Sequence, residues 1–256
     1  MNTPAPFSER LHEEGRELVR AATGEGLAVR LLGGMGIRLL LADRYPPAFE
    51  RSYGDLDVIT RKRDARGLEQ LLAVRGWEPA VAFNALNGGR RMLFHDPAGP
   101  AQVDVFVETF EMCHRLPLAE SLDGSPPPFS LPACDLLLSK LQIVALNAKD
   151  RNDSYALLLG CAPDPAAASA LDAERIASLA AEDWGLHHTL ERNLARLLDD
   201  LPQAEVSAAD GATIAARVAA IQQALEVAPK SRGWKLRARV GERKRWYEEP
   251  EEVDRD

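Results

Sequence analysis

The hydrophobic positions along this chain change their period near the middle of the sequence, from a mixture of strand and helix spacing to helix spacing alone. In the first half, apolar residues three and four apart predict amphipathic helices, and short apolar runs or alternating stretches predict strands. The predicted helices are residues 7–23, 37–42 and 64–74, and the predicted strands or extended segments are residues 27–32, 56–60, 78–86, 91–95 and 102–108.

The second half reads as helix throughout. Ser125-Pro126-Pro127-Pro128 is the clearest linker signal in the sequence, since consecutive prolines cannot continue a helix or a central strand. The helices predicted after it are residues 133–148, 151–160, 172–181, 184–199 and 209–227. We therefore predict an α+β fold, with a nucleotidyltransferase-like mixed sheet and flanking helices in a domain over residues 1–122, followed by a helical domain over residues 123–256.

Composition places the chain among ordinary globular proteins. Hydrophobic residues make up 46 % and charged residues 27 %, and no run of eighteen apolar residues predicts a membrane span. The first residues lack the apolar core of a signal peptide. The three cysteines are widely spaced and form neither a metal motif nor a disulfide pattern, which favours a cytoplasmic protein without membrane association.

Asp55 and Asp57 are the first candidates for chemistry. In a strand, side chains alternate between faces, so these two acids point to one side while Leu56 and Val58 point to the core. Adjacent carboxylates raise each other's pKa unless a cation lies between them. Mg²⁺ is suited to that position because it prefers oxygen ligands and bridges to substrate phosphates. The alternative is a solvated strand end.

Asp104 lies in an otherwise apolar strand, between Val103 and Val105. A carboxylate in such a position is costly unless it is paired or bound to a metal. If its strand lies beside that of Asp55 and Asp57, the three acids form one group. Gly33-Gly34 supplies a third feature, a strand-to-helix turn at which the backbone can approach a phosphate.

Together, Leu32-Gly33-Gly34, Asp55-Leu56-Asp57-Val58 and Val103-Asp104-Val105 resemble the nucleotidyltransferase superfamily in their order along the chain. The resemblance covers roughly residues 27–108. It implies that Asp55, Asp57 and Asp104 are catalytic and bind two Mg²⁺ ions, with Mn²⁺ as a substitute. It further implies that Gly33 and Gly34 contact the nucleotide, and that an NTP such as ATP donates its nucleotidyl group.

Lys140 is the informative residue of the helical half, because its neighbours one turn away on the predicted helix are all apolar. A buried ammonium needs an anion, and the candidates are the acid group, a nucleotide phosphate, or Asp150 and Asp153. The two aspartates also suit ordinary helix capping combined with an ion pair to Lys140. The stretch resembles the AbiEii-type branch of the superfamily, and this resemblance implies nucleotide binding by Lys140, Asp150 and Asp153.

The formal net charge is −8, yet residues 230–245 carry eight Lys/Arg against the single Glu242. Basic residues interleaved with Trp234, Trp246 and Tyr247 can bind RNA through phosphates and stacking. The alternative is that this segment packs on the acidic body of the protein. His187 and His188 are adjacent, face different directions, and are interpreted as structural or surface residues.

Three functions are compatible with these residues. The first is metal-dependent transfer of a nucleotidyl group to an unidentified hydroxyl of RNA, protein or a small molecule. The second is a non-catalytic nucleotide- or RNA-binding member of the fold, for example one partner of a toxin–antitoxin pair. The third is a metal-dependent phosphohydrolase that uses the same acids. The three acids favour the first function, because a site that had lost its activity would have no reason to keep three uncompensated carboxylates.

Overall fold

A computed structural model describes residues 5–124 and 126–249 of the chain. The fold is α+β, and the chain divides into two compact units. The sheet unit comprises residues 1–45, 50–110 and 117–132, and the helical unit comprises residues 46–49, 111–116 and 133–256. The predicted division is a single boundary after residue 122. In the structure, the helical unit also includes two short segments from the first half of the chain, and the sheet unit continues to residue 132. Ser125 of the predicted linker lies outside the described residues.

The sheet unit contains a five-stranded mixed sheet with the strand order β1-β2-β5-β4-β3. Its strands are β1 (Val29–Leu32), β2 (Asp55–Thr60), β3 (Glu78–Pro79), β4 (Arg91–His95) and β5 (Gln102–Val107). Its helices are α1 (Ala5–Gly24), α2 (Gly33–Leu41), α3 (Ala65–Val74) and α4 (Val81–Asn87). β2 and β5 run parallel, and the other neighbouring pairs run antiparallel. β6 (Phe110–Glu111) and β7 (Arg115–Leu116) form a separate two-stranded sheet.

One face of the sheet carries the hydrophobic core of this unit, because the strands alternate side chains between two faces. Leu18 and Val19 of α1 and Leu68 of α3 are buried in the same cluster as the strand residues of that face. The strand residues in the cluster are Val29, Leu31, Leu56, Val58, Met92, Phe94, Val103, Val105 and Val107. The predicted inward orientation of Leu56 and Val58 is therefore confirmed.

The sheet unit extends past residue 122 because the segment after the prolines hydrogen-bonds to β1. The Leu31 N–H donates to the Phe129 carbonyl at 2.9 Å, and the Leu131 N–H donates to the Leu31 carbonyl at 2.9 Å. Arg30 Nε also donates to the Pro127 carbonyl at 2.9 Å. Prolines that would end a helix are tolerated here, because this segment runs along the edge of the sheet.

The prediction of an extended segment over residues 78–86 is wrong. Only Glu78 and Pro79 are in a strand, and Val81–Asn87 is the helix α4. Asn84 explains the switch. Its amide donates to the Leu93 carbonyl at 3.1 Å and its carbonyl accepts the Leu93 N–H at 2.7 Å. The Asn84 side chain, on a helix, therefore satisfies the backbone hydrogen-bonding groups of β4 that a neighbouring strand was expected to satisfy.

The helical unit contains α5 (Ala133–Leu141), α6 (Ala148–Gly160), α7 (Ala173–Glu182), α8 (Trp184–Asp200), α9 (Ala208–Val227) and α10 (Arg232–Val240). The predicted helix over residues 133–148 ends early, at Leu141, because Asn147 caps a new helix by accepting the Asp150 N–H at 3.0 Å. The helix α10 was not predicted. Among the described residues, no helix combines the length and the apolar content needed to cross a bilayer.

Candidate active site

The register of β2 against β5 brings two of the predicted acids directly opposite each other. Asp57 and Asp104 are partners across the parallel pair, and Asp55 is the partner of Gln102. Residues paired across a ladder point to the same side, so the three carboxylates share the face opposite the hydrophobic core. The condition that the two acid-bearing strands are neighbours is therefore met.

The Asp57 carboxylate packs directly against Gly33. A Cβ atom at position 33 would lie 1.9 Å from Asp57 Oδ2, and Gly33 has a φ of +63°. Both the space and the backbone conformation therefore require glycine. Gly33 is the first residue of α2, so the Asp57 carboxylate lies at the positive end of a helix dipole.

Gly34 has a similar relationship to a cation. A Cβ atom there would lie 2.1 Å from Nη2 of Arg51. The Arg51 guanidinium also lies over the Tyr53 ring, 4.5 Å from its centroid. The glycine pair thus makes room for a carboxylate and a guanidinium side by side. Phosphate binding at Gly33 and Gly34, as implied by the resemblance, stays a prediction.

Arg91 holds Asp104 by a bidentate ion pair. Its Nε donates to Oδ1 and Oδ2 at 2.9 and 3.1 Å, and its Nη2 donates to Oδ2 at 2.5 Å. The guanidinium carbon also lies 5.2 Å from the centroid of the Phe106 ring and 5.7 Å from that of Phe83. Planar guanidinium suits this combination of carboxylate pairing and aromatic stacking.

The pKa of the Asp104 carboxyl is raised above its ordinary value. Burial raises the pKa, the hydrogen bonds and charge of Arg91 act in the opposite direction, and the charge of Asp55 raises it further. Asp55 lies on the same face of β2 as Asp57, which is the ladder partner of Asp104. Asp55, Asp57 and Asp104 therefore lie in one region together with Arg91, and Arg51 lies beside the same glycine turn as Asp57.

The observed arrangement, with Arg91 bound to Asp104, differs from the expected site of three carboxylates around metal ions. Within residues 5–124 and 126–249, no group of three or more His, Cys, Asp or Glu side chains is placed to hold a metal ion. The argument from uncompensated carboxylates was wrong for Asp104, because Arg91 neutralises it. Asp55 and Asp57 nevertheless fit Mg²⁺ in their chemistry, since nucleotide-bound Mg²⁺ commonly takes one or two protein carboxylates and completes its shell with phosphates and water.

Lys140 is buried in the helical unit between two aspartates. Its Nζ lies 3.0 Å from Asp150 Oδ1 and 3.0 Å from Asp153 Oδ2. Burial, the largest influence, lowers the pKa of Lys140, but the two carboxylates together raise it above its usual range. Of the anions considered from the sequence, the aspartates that follow the helix are the observed partners. Nucleotide binding by Lys140, Asp150 and Asp153 stays a prediction.

The two adjacent histidines of α8 make separate contacts, as expected from their neighbouring positions. His187 Nε2 lies 3.3 Å from Glu191 Oε1, and burial lowers its pKa. His188 Nε2 lies 2.8 Å from Glu242 Oε1. The His188 ring stacks on Trp184 with centroids 4.9 Å apart. Both rings take part in packing within the helical unit.

Arg51 and Arg91 are the residues of the site that sequence reasoning missed. Arg91 begins a strand whose other residues are mostly apolar, and that is the signal that could have identified it. A charged residue in a buried strand predicts an opposite charge across the sheet, and Asp104 and the terminal Glu108 were the acids of the predicted strand over residues 102–108. Arg51 lies outside helices and strands, and its spacing gives no comparable signal.

Comparison with known proteins adds no assignment. No protein-family model matches the chain, and no curated protein matches it significantly.

Proposed function

We propose that the chain binds a Mg²⁺–nucleoside triphosphate on the face formed by β2, β5 and the first turn of α2, and transfers the nucleotidyl group to a hydroxyl. The observation that carries the proposal is the register that sets Asp57 opposite Asp104 on the face away from the hydrophobic core, with Asp57 against Gly33. Asp55 and Asp57 are the proposed metal ligands. Asp104 is the proposed acceptor of the hydroxyl proton.

The chemistry assigned to each residue follows from its charge and surroundings. When bound, Mg²⁺ would neutralise the triphosphate and favour departure of pyrophosphate. The N-terminus of α2 offers N–H groups to a phosphate. The carboxylate of Asp104 takes the proton of the attacking hydroxyl, whose oxygen forms the new bond to the α-phosphorus while the bond to the leaving pyrophosphate breaks. Arg91 orients that carboxylate and opposes the effect of burial on its pKa.

A second function is favoured by one observation, the ion pair between Arg91 and Asp104. A carboxylate already held by two guanidinium nitrogens is not available to accept the hydroxyl proton unless the pair opens. If it stays closed, the same face binds nucleotide with one metal ion and performs no transfer. The non-catalytic alternative is therefore a nucleotide-binding protein that uses Asp55 and Asp57 alone.

Thermal melting with Mg²⁺ and each NTP tests binding. We expect an increase in Tm with metal and at least one nucleotide together, and loss of this increase in Asp55→Asn and Asp57→Asn. Asp43→Asn is a matched control, because Asp43 is exposed in a 3-10 turn. An unchanged Tm of the wild type with every nucleotide would contradict both functions.

Transfer is tested separately with α-labelled NTPs, Mg²⁺ and total RNA or cell extract. Nucleotidyl transfer leaves the label on an acceptor, and Asp104→Asn abolishes labelling while keeping the nucleotide-dependent increase in Tm. Binding without labelling favours the non-catalytic protein. Conversion of the NTP to labelled NDP or NMP without labelling of an acceptor favours the phosphohydrolase.

A further inference from the structure

The basic segment near the end of the helical unit is divided by the structure into anchoring and outward-facing cations. Lys230 and Arg237 are used internally. Lys230 Nζ donates to the carbonyls of Leu225 and Ala228. Arg237 Nη1 donates to the Gly241 carbonyl at 2.7 Å, and its guanidinium carbon lies 4.7 Å from the centroid of the Trp184 ring. These two residues hold the segment on the unit to which it belongs.

Further contacts fix the orientation of α10. The Ser231 hydroxyl caps the helix by accepting the Trp234 N–H at 3.1 Å, and the Ser231 N–H donates to the Ala181 carbonyl at 3.0 Å. The Trp234 ring meets the edge of His187 with centroids 5.1 Å apart. One side of α10 therefore faces α7 and α8, and the opposite side is directed to solvent.

The outward side of α10 carries Arg232, Lys235 and Arg239, which we call the α10 basic face. Their spacing of three and four residues aligns them along one side of the helix. All three are exposed. Within the described part of the chain, none of them makes an ion pair or a side-chain hydrogen bond. Although the chain has a net charge of −8, this stripe of cations is not used to neutralise its own acids.

Two apolar residues border the α10 basic face. Leu236 is 62 % exposed and Val240 is 42 % exposed. Arg232 and Arg239 are seven residues apart, which corresponds to about 10 Å along a helix. The face thus offers a line of three cations to phosphates, beside apolar surface for the sugars.

A ladder of aromatic rings lies next to α10 in the same unit. Trp246 meets His188 with ring centroids 5.0 Å apart, and Tyr247 meets Trp246 at 5.3 Å. Trp246 and Tyr247 are both only half-buried. Arg237 joins the ladder to α10, because its Nη2 donates to the Lys244 carbonyl at 2.7 Å. Partly exposed aromatic rings with guanidinium groups beside them, as Arg192 and Arg245 are here, are typical of surfaces that bind unpaired bases.

We propose that the α10 basic face, together with Trp246 and Tyr247, binds single-stranded RNA. The cations contact the phosphates, and the rings stack with unpaired bases. An anionic membrane is disfavoured, because a nine-residue helix with only Leu236 and Val240 as exposed apolar residues has too little apolar surface to insert. The proposal does not depend on the acid site of the sheet unit.

The test measures the affinity of the full-length chain for a fluorescein-labelled single-stranded RNA of twelve nucleotides by anisotropy, as a function of salt concentration. The variant is R232Q/K235Q/R239Q. We expect its affinity to fall about tenfold or more, and the slope of log affinity against log salt to decrease by about 2, since each lost phosphate contact on a single strand removes about 0.7.

The matched control is K62Q/R63Q/R66Q, which removes the same charge from three exposed residues in the turn before α3 and in its first turn. It should keep the affinity and the slope of the wild type, and thermal melting checks that both variants are folded. Equal loss in both variants would mean that only net charge matters, which overturns the proposal. Tighter binding to single-stranded DNA, to duplex RNA or to vesicles of anionic lipid than to single-stranded RNA also overturns it.

Discussion

Arg91 and Asp104 form a two-point ion pair between neighbouring antiparallel strands, on the face of the sheet that carries the candidate acids. The side chains of both residues are mostly buried, at 15 % and 13 % exposure. The pair decides how the acid site is interpreted, because it supplies a counter-charge for Asp104 that was not predicted from the sequence.

Arg91→Met should destabilise the protein by about 3 kcal/mol, because it leaves a buried carboxylate without its partner. The double variant R91M/D104N should recover most of this loss, since the unpaired charge is then gone. Urea denaturation of the four proteins of this double-mutant cycle measures the coupling. Arg66→Met, at an exposed position on α3, is the control. A coupling energy near zero would mean that the pair contributes nothing to stability.

Gly33→Ala should reduce stability by about 2 kcal/mol or more, because alanine is strained at a φ of +63° and its Cβ would collide with Asp57 Oδ2. Displacement of Asp57 should also abolish the proposed nucleotide-dependent increase in Tm. Gly24→Ala is a suitable control, because no atom lies within 4 Å of a Cβ at that position. Differential scanning fluorimetry with and without nucleotide reports both effects. A normal Tm for Gly33→Ala would contradict the observed contact.

Lys140→Met should cost about 3–5 kcal/mol, because the buried Asp153 and the neighbouring Asp150 lose their shared cation. The triple variant K140M/D150N/D153N should be considerably more stable than the single variant. Chemical denaturation of both proteins provides the measurement, and Lys149→Met, at an exposed position in the same region, provides the control. If the single variant keeps wild-type stability, Lys140 is held for another purpose, such as the predicted contact with a nucleotide.

His114 should make the protein less stable under mildly acidic conditions. Burial lowers its pKa, only partly opposed by the charge of Asp183, so the unfolded state binds its proton at a higher pH than the folded state. Stability is therefore complete above the unfolded value of about 6.5 and decreases as the pH falls below it, by up to about 1.4 kcal/mol per pH unit. His114→Gln should flatten this dependence in urea titrations at pH 5–7. An unchanged slope would show that His114 has the same pKa in the folded and unfolded states.

The alternation of apolar and acidic residues was sufficient to predict β2, β5 and the shared face of Asp55 and Asp57, because a strand buried on one side leaves a period of two in the sequence. The same rule failed for residues 81–86. There the helix α4 has no buried residue at all, so no apolar stripe indicated its period. In the same way, α10 is fixed by a capping serine and by stacking of Arg237 on Trp184, and not by a hydrophobic face.

The pairing of Arg91 with Asp104 could not be derived from spacing, because it depends on the register of β4 against β5. Arg91 is the ladder partner of Phe106, and its long side chain reaches back along the strand to Asp104. The anionic partners of Lys140 likewise could not be predicted, because they depend on the residue at which α5 ends. Once the helix stops at Leu141 and Asn147 starts the next one, Asp150 and Asp153 lie within reach of the ammonium.

The order of the strands bears on how the acid face assembles during folding. β4 and β5 are joined by a short turn and can form as a local hairpin, whereas β2 joins β5 only after the long crossover through α3 and α4 has closed. Because Arg91 and Asp104 belong to the same hairpin, we expect Asp104 to be neutralised before β2 joins β5. It would then meet Asp57 as one half of a salt bridge.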